Sequence, residues 1–95
     1  MPYAVIRHYK DSSKLIDELE RRSDDVESLI RGIDGFIAYD LVRTDSGGFS
    51  VNVYAGRAGA EESVRSARED LQQNLSEVGS SPEVLQGESV IHFTA

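Results

Sequence analysis

Ile30-Arg31-Gly32-Ile33-Asp34-Gly35-Phe36-Ile37-Ala38-Tyr39-Asp40-Leu41-Val42-Arg43-Thr44-Asp45-Ser46-Gly47-Gly48-Phe49-Ser50-Val51-Asn52-Val53-Tyr54 is the stretch that decides the fold. A helical pattern stops at Gly32, a turn at Asp34-Gly35 releases an extended run, and Asp45-Ser46-Gly47-Gly48 folds that run back on a second one. It reads as a helix end followed by a β-hairpin. Phe36 to Arg43 splits into Phe36, Ala38, Asp40, Val42 on one face and Ile37, Tyr39, Leu41, Arg43 on the other, an imperfect alternation that predicts partial cover on both sides. Phe49 to Ala55 alternates more cleanly. Its face of Phe49, Val51, Val53 and Ala55 suits packing on helices, and its face of Ser50, Asn52 and Tyr54 suits a wetter setting.

Working outward toward the N-terminus, Leu15, Ile16, Leu19, Val26, Leu29, Ile30 and Ile33 recur at threes and fours, which predicts an amphipathic helix ending at Gly32 in a left-handed cap. Glu20-Arg21-Arg22-Ser23-Asp24-Asp25 interrupts the stripe. One long helix with a polar waist is the preferred reading, and a second helix restarting at Ser23 is the alternative. Upstream, Asp11, Ser12 or Ser13 offers a cap, and Tyr3 to Tyr9 is a strand rich in aromatic and β-branched residues. Tyr3, Val5, Arg7 and Tyr9 share one of its faces.

Toward the C-terminus, Gly56-Arg57-Ala58-Gly59 reads as a connection. Ala60, Val64, Ala67, Leu71, Leu75 and Val78 mark another amphipathic helix, ended by Gly79-Ser80-Ser81-Pro82. Glu83 to Glu88 is an ambiguous link or edge, and Ser89 to Thr94 is expected as the last strand, with Val90 and His92 on one side of it. The order strand, helix, strand, strand, helix, strand predicts an α+β, ferredoxin-like βαββαβ subunit, a four-stranded antiparallel sheet with two helices on one face. The bare face of that sheet predicts a homodimer, a dimeric α/β barrel.

The 95 residues are enough for one domain, 1–95, and too few for a large private cavity. A net charge of −7 without a basic cluster argues against nucleic acid as a partner. The absence of cysteine excludes disulfides and thiolate metal sites. No apolar run approaches the ~20 residues of a membrane span, so the expectation is a cytoplasmic protein with no membrane partner.

No motif names a reaction. Asn52, Tyr54, Tyr39, His92 and Arg7 are the candidate pocket residues. Asn52 can both donate to and accept from a substrate oxygen, and tyrosine rings stack on flat molecules while their hydroxyls meet polar ends. His8 and His92 fall on strands that neighbour each other, yet no third ligand stands at metal spacing, so no metal and no cofactor is expected. The glycines punctuate turns and do not form a phosphate-binding loop.

The Ile30-Arg31-Gly32-Ile33 helix end with its Gly35-Phe36 turn, the strand Tyr39-Asp40-Leu41-Val42-Arg43-Thr44, Gly47-Gly48, and Ala58-Gly59-Ala60-Glu61-Glu62-Ser63 together resemble the dimeric α/β-barrel superfamily, in particular its small antibiotic biosynthesis monooxygenase-like proteins. The resemblance runs over nearly the whole chain and is carried by fold-level motifs. It implies a ferredoxin-like subunit, a face-to-face dimer and a pocket between sheet and helices. Activities in the family include cofactor-independent oxidation of polycyclic aromatics and haem degradation. The tryptophan common in such pockets is missing here. The expected function is binding of a small hydrophobic or aromatic molecule between sheets. The alternatives are a cofactor-independent monooxygenase acting on an aromatic or quinol-like substrate, and a haem-degrading enzyme.

Overall fold

A computed structural model of the chain describes residues 1–74 and 82–95. Strand β1 (Tyr3–Tyr9) leads into helices α1 (Ser13–Arg21) and α2 (Ser23–Arg31). The hairpin β2 (Phe36–Arg43) and β3 (Gly48–Tyr54) follows, then helix α3 (Arg57–Asn74) and strand β4 (Glu83–Glu88). The sheet is antiparallel in every pairing, in the order β2-β3-β1-β4, as a ferredoxin-like subunit requires.

The polar stretch from Glu20 to Asp25 breaks the helix, and the single long helix expected over it is two. Arg22, at φ −98° and ψ 28°, leaves helical geometry and serves as C-cap of α1 and N-cap of α2. Its guanidinium bonds both carboxylate oxygens of Asp70 on α3, at 3.4 and 3.3 Å, which ties the break to the neighbouring helix. Each short helix then sets its own apolar residues on the sheet. Leu15, Ile16 and Leu19 join Tyr9 in one core cluster, while Ile30 and Ile33 join Val5, Tyr54 and Ala60 in another.

Gly32 stays right-handed at the end of α2, and the left-handed residue is Gly35, at φ 81°. That turn brings the Gly35 carbonyl to the Ala55 amide at 2.7 Å, closing the hairpin's far end against its start. At the other end, a Cβ on Gly47 would stand 2.1 Å from the Tyr9 carbonyl oxygen, so only glycine allows the turn to lie on β1. Helix α3 starts at Arg57, earlier than Ala60, because Gly59 packs inside it: a Cβ there would meet the Asp34 carbonyl at 2.6 Å. The expected last turn with Leu75 and Val78, and its stop at 79–81, lie outside the described residues.

The last strand is Glu83–Glu88 rather than Ser89 to Thr94. The register explains the shift. Glu83 pairs with His8 and Glu88 with Tyr3, and the Ser89 amide makes a final bond to the Pro2 carbonyl at 2.8 Å, after which β1 offers nothing to pair with. His92 therefore lies in an exposed C-terminal arm, not in the sheet.

The two faces of the sheet are also exchanged relative to the reading of β3. Ser50, Asn52 and Tyr54 are buried beneath the helices, and Phe49, Val51 and Val53 lie on the open side. Burial settles the matter against hydropathy: a tyrosine ring adds more apolar area to the core than a valine, and the hydroxyl and amide groups beside it are satisfied by one another. In β2 a bulge between Phe36 and Ala38 lets Phe36 share the helix-facing side with Tyr39 and Leu41, which accounts for the imperfect alternation of that strand.

Candidate functional site

Along the helix-covered side of β1, Val5 belongs to one core cluster and Tyr9 to the other, with Arg7 between them. On β3, Tyr54 pairs with Tyr3, Asn52 with Val5 and Ser50 with Arg7. A polar layer thus separates two apolar clusters. The Arg7 guanidinium, only 3% exposed, donates to Asn52 Oδ1 at 3.3 Å and to Ser63 Oγ on α3 at 3.1 Å. The Tyr54 hydroxyl donates to the same Asn52 oxygen at 3.0 Å, Asn52 Nδ2 reaches Ser50 Oγ at 3.4 Å, and Ser63 Oγ donates to the Ala60 carbonyl at 2.7 Å. Among the described residues no buried side-chain polar atom is left without a partner.

Beside this layer a cavity of about 490 Å³ opens between α1, α2 and β2. Its walls are Ile16, Leu19, Val26, Ile30, Phe36, Tyr39 and Leu41, and Glu20, Ser23, Glu27, Arg31 and Arg43 form its rim. Residues on either side of the break at Arg22, Leu19 and Glu20 before it and Ser23 and Val26 after it, line this space. Phe36 is fixed by an edge contact with Tyr54, ring centres 6.2 Å apart, and by the Arg31 guanidinium 5.8 Å from its centre. Arg31 bonds Glu27 at 2.6 Å, and Arg43 bonds Asp17 on α1 at 2.6 Å, so the rim charges neutralise one another and tie β2 to the helices.

Of the five candidate residues, Arg7, Asn52 and Tyr54 come together directly, and Tyr39 pairs with Asn52 in the sheet register and reaches the cavity. His92 lies in the exposed arm and does not join them in the buried layer. They do not face a space between sheets, because the helices of their own subunit cover them. Ser63, Ser50 and the cavity wall from Leu19 to Ile30 escaped the sequence reading. A serine at a core-facing helix position is a usable but weak signal, whereas cavity-lining leucines and isoleucines look like any other core stripe.

Burial pushes the Tyr39 hydroxyl up in pKa, helped by Tyr9 and opposed by Arg7. Burial also raises Tyr9 against Arg7 and a bond from Ser50, and Tyr54 against a bond from Ser63 and Arg7. All three are neutral donors at physiological pH. Their folded pKa values lie above the unfolded value near 10, so the stability they contribute is complete below about pH 10 and is lost as pH rises through the folded values. We expect urea midpoints to fall steeply above about pH 10, and less steeply in Tyr39→Phe, with phenolate absorbance lagging behind that of free tyrosine.

Neither a protein-family model nor a curated relative matches the sequence. Solved structures do match along its length. Rv0793 from Mycobacterium tuberculosis is 18% identical with a TM-score of 0.71, covering 99% of this chain and 100% of that one. A proposed antibiotic biosynthesis monooxygenase from Chloroflexus aurantiacus is 12% identical with a TM-score of 0.70, covering 99% and 98%. The chain has the antibiotic biosynthesis monooxygenase-like fold. A third protein of this fold, the haem degrader MhuD of M. tuberculosis with two haems in its active site, is 16% identical with a TM-score of 0.70, covering 97% and 99%. The monooxygenase-like fold thus holds haem degraders, proposed oxygenases and proteins of unknown function, such as NE2512 of Nitrosomonas europaea.

No histidine is placed to ligate a haem iron in this cavity. His8 lies on the open face of the sheet, 4.0 Å from Glu83, and His92 in the arm, so neither histidine reaches the cavity. No group of residues suited to a metal ion occurs among the described residues.

Proposed function

We propose that the protein, acting as a single domain over 1–95, binds a small flat hydrophobic or aromatic molecule in the cavity between α1, α2 and β2. The observation that carries this reading is the cavity itself: apolar and aromatic walls, a polar rim, and the neutral hydroxyl-bearing Tyr39 among the wall residues. Phe36 and Tyr39 would stack on the ligand, and Leu19, Val26 and Ile30 would close on its other face. Native mass spectrometry of protein purified from its own host tests this. A retained adduct of a few hundred daltons, displaced by added naphthalene derivatives, supports the reading; protein that comes empty and binds none of them defeats it.

A second copy of the chain is the proposed cover for the open face. That face presents Ile6, Val42, Phe49, Val51, Val53 and Leu85, and the arm beyond β4 exposes Val90, Ile91 and Phe93 at 77, 78 and 86%. An apolar sheet beside an apolar arm is unstable in water unless both are covered, and a twofold dimer lets each arm lie on the partner's sheet. Sedimentation should show a dimer for the full chain and a monomer when residues 89–95 are deleted. A full chain that sediments as a monomer at micromolar concentration defeats this part of the reading.

The polar layer of Arg7, Asn52 and Tyr54 beside the cavity favours one catalytic reading, cofactor-independent oxidation of an aromatic or quinol-like substrate, with these groups positioning it. Oxygen uptake with quinols that bind, lost in Asn52→Ala, tests it.

A further inference from the structure

Burying a guanidinium costs several kcal/mol unless an opposite charge is buried with it. Arg7 is the most buried arginine of the described chain, yet its bonds go to an amide oxygen and a hydroxyl, both neutral, and at 3.3 and 3.1 Å both are longer than charge-assisted bonds normally are. No carboxylate stands at ion-pair distance from it among the described residues. The pattern is reversed at the surface, where Arg21, Arg22, Arg31, Arg43, Arg57 and Arg65 all have carboxylate partners. The buried guanidinium, which a carboxylate partner would stabilise most, has none among the described residues, whereas these six exposed or half-exposed arginines do.

Its position gives that charge a direction. Arg7 Nη1 is anchored on Asn52, and Asn52 is the residue that pairs directly with Tyr39 across the hairpin. Tyr39 is in turn the polar group of the cavity's inner wall. The cavity rim contributes no net charge to the interior, because Glu27 is tied to Arg31 and Glu20 to Arg43. The inner wall is therefore a hydroxyl donor backed by an uncompensated positive charge, at the end of an otherwise apolar slot.

We propose that the molecule bound in the cavity is an aromatic acid, its ring system between α2 and β2 and its anionic oxygen at the inner wall, where the Tyr39 hydroxyl donates to it and the Arg7 guanidinium, buried behind that wall, supplies the opposite charge. This deepens the proposed function and rests on it. The acid supplies the counter-charge that the fold withholds, and the tyrosine, kept neutral, donates to it. Other arrangements of the ligand would leave the anion among leucines and isoleucines.

Calorimetric titration with 2-naphthoate and with its neutral counterpart naphthalene-2-carboxamide separates the two levels of the argument. The wild-type protein should bind the naphthoate at least about tenfold more tightly, the value of a hydrogen bond to a charged group in a desolvated site. In Arg7→Gln the ratio of naphthoate to carboxamide affinity should fall to about one. Equal affinities, or a preference for the carboxamide, in the wild type overturn the acid specificity and leave the cavity reading standing. Binding of neither probe removes the cavity reading and the acid with it. If circular dichroism shows Arg7→Gln unfolded, Tyr39→Phe decides: a preference reduced severalfold supports the placement, and an unchanged preference overturns it.

Discussion

Replacing Val26 by tryptophan should abolish binding of an aromatic ligand, lowering affinity by about a hundredfold or more, with the fold retained. Val26 packs against both core clusters and lines the cavity between them, so its side chain grows into open space rather than into packed atoms. Overpacking a filled core costs about 1–3 kcal/mol, but filling a cavity that already exists avoids most of that cost. Loss of binding with an unchanged urea midpoint is the expected pair of results. Loss of both would mean that the space closes in solution.

Tyr54→Ala should have the largest effect on stability, about 4 kcal/mol, which is a large share of the roughly 5–15 kcal/mol typical of a domain. The side chain is fully buried, packs with Val5, Ile30, Ile33 and Ala60, holds Phe36 edge-on and donates to Asn52. Its removal leaves a void and takes one bond from the polar layer. Tyr54→Phe isolates the second of these. It should cost only about 1 kcal/mol, because Arg7 still donates to the same Asn52 oxygen. Denaturation by urea reads both numbers, and a Tyr54→Ala protein as stable as the parent would contradict the packing described.

The fold was legible where sequence chemistry is local. The hairpin with its Gly47-Gly48 turn, the strand Tyr3–Tyr9 and the α+β order could all be read from spacing and turn residues, and the likeness to the monooxygenase-like proteins came separately, as a resemblance of motifs along the chain. What failed was decided by partners distant in the chain. The polar waist at Arg22 became a break because Asp70, on another helix, bonds it there. Ser89 to Thr94 has good strand residues, but β1 is already used up by Glu83–Glu88. The faces of β3 were exchanged because Asn52 and Ser50 look wet in isolation and are buried only when Arg7 and Ser63 come to meet them. Arg7, Asn52, Tyr54 and Tyr39 are nonetheless among the five residues that hydrogen-bonding and stacking chemistry pointed to, while the fifth, His92, lies in the exposed arm. The cavity was not legible, since an unfilled space leaves no mark on the pattern of apolar residues that surround it.

The most direct test of the account is a two-dimensional amide NMR titration of the full chain with 2-naphthol. Binding in the cavity gives saturable shifts centred on Leu19, Val26, Ile30, Phe36, Tyr39 and Leu41, which wall it. Shifts confined to the open face, at Ile6, Val51, Val53 and Leu85, or no saturable shift at all, would contradict it.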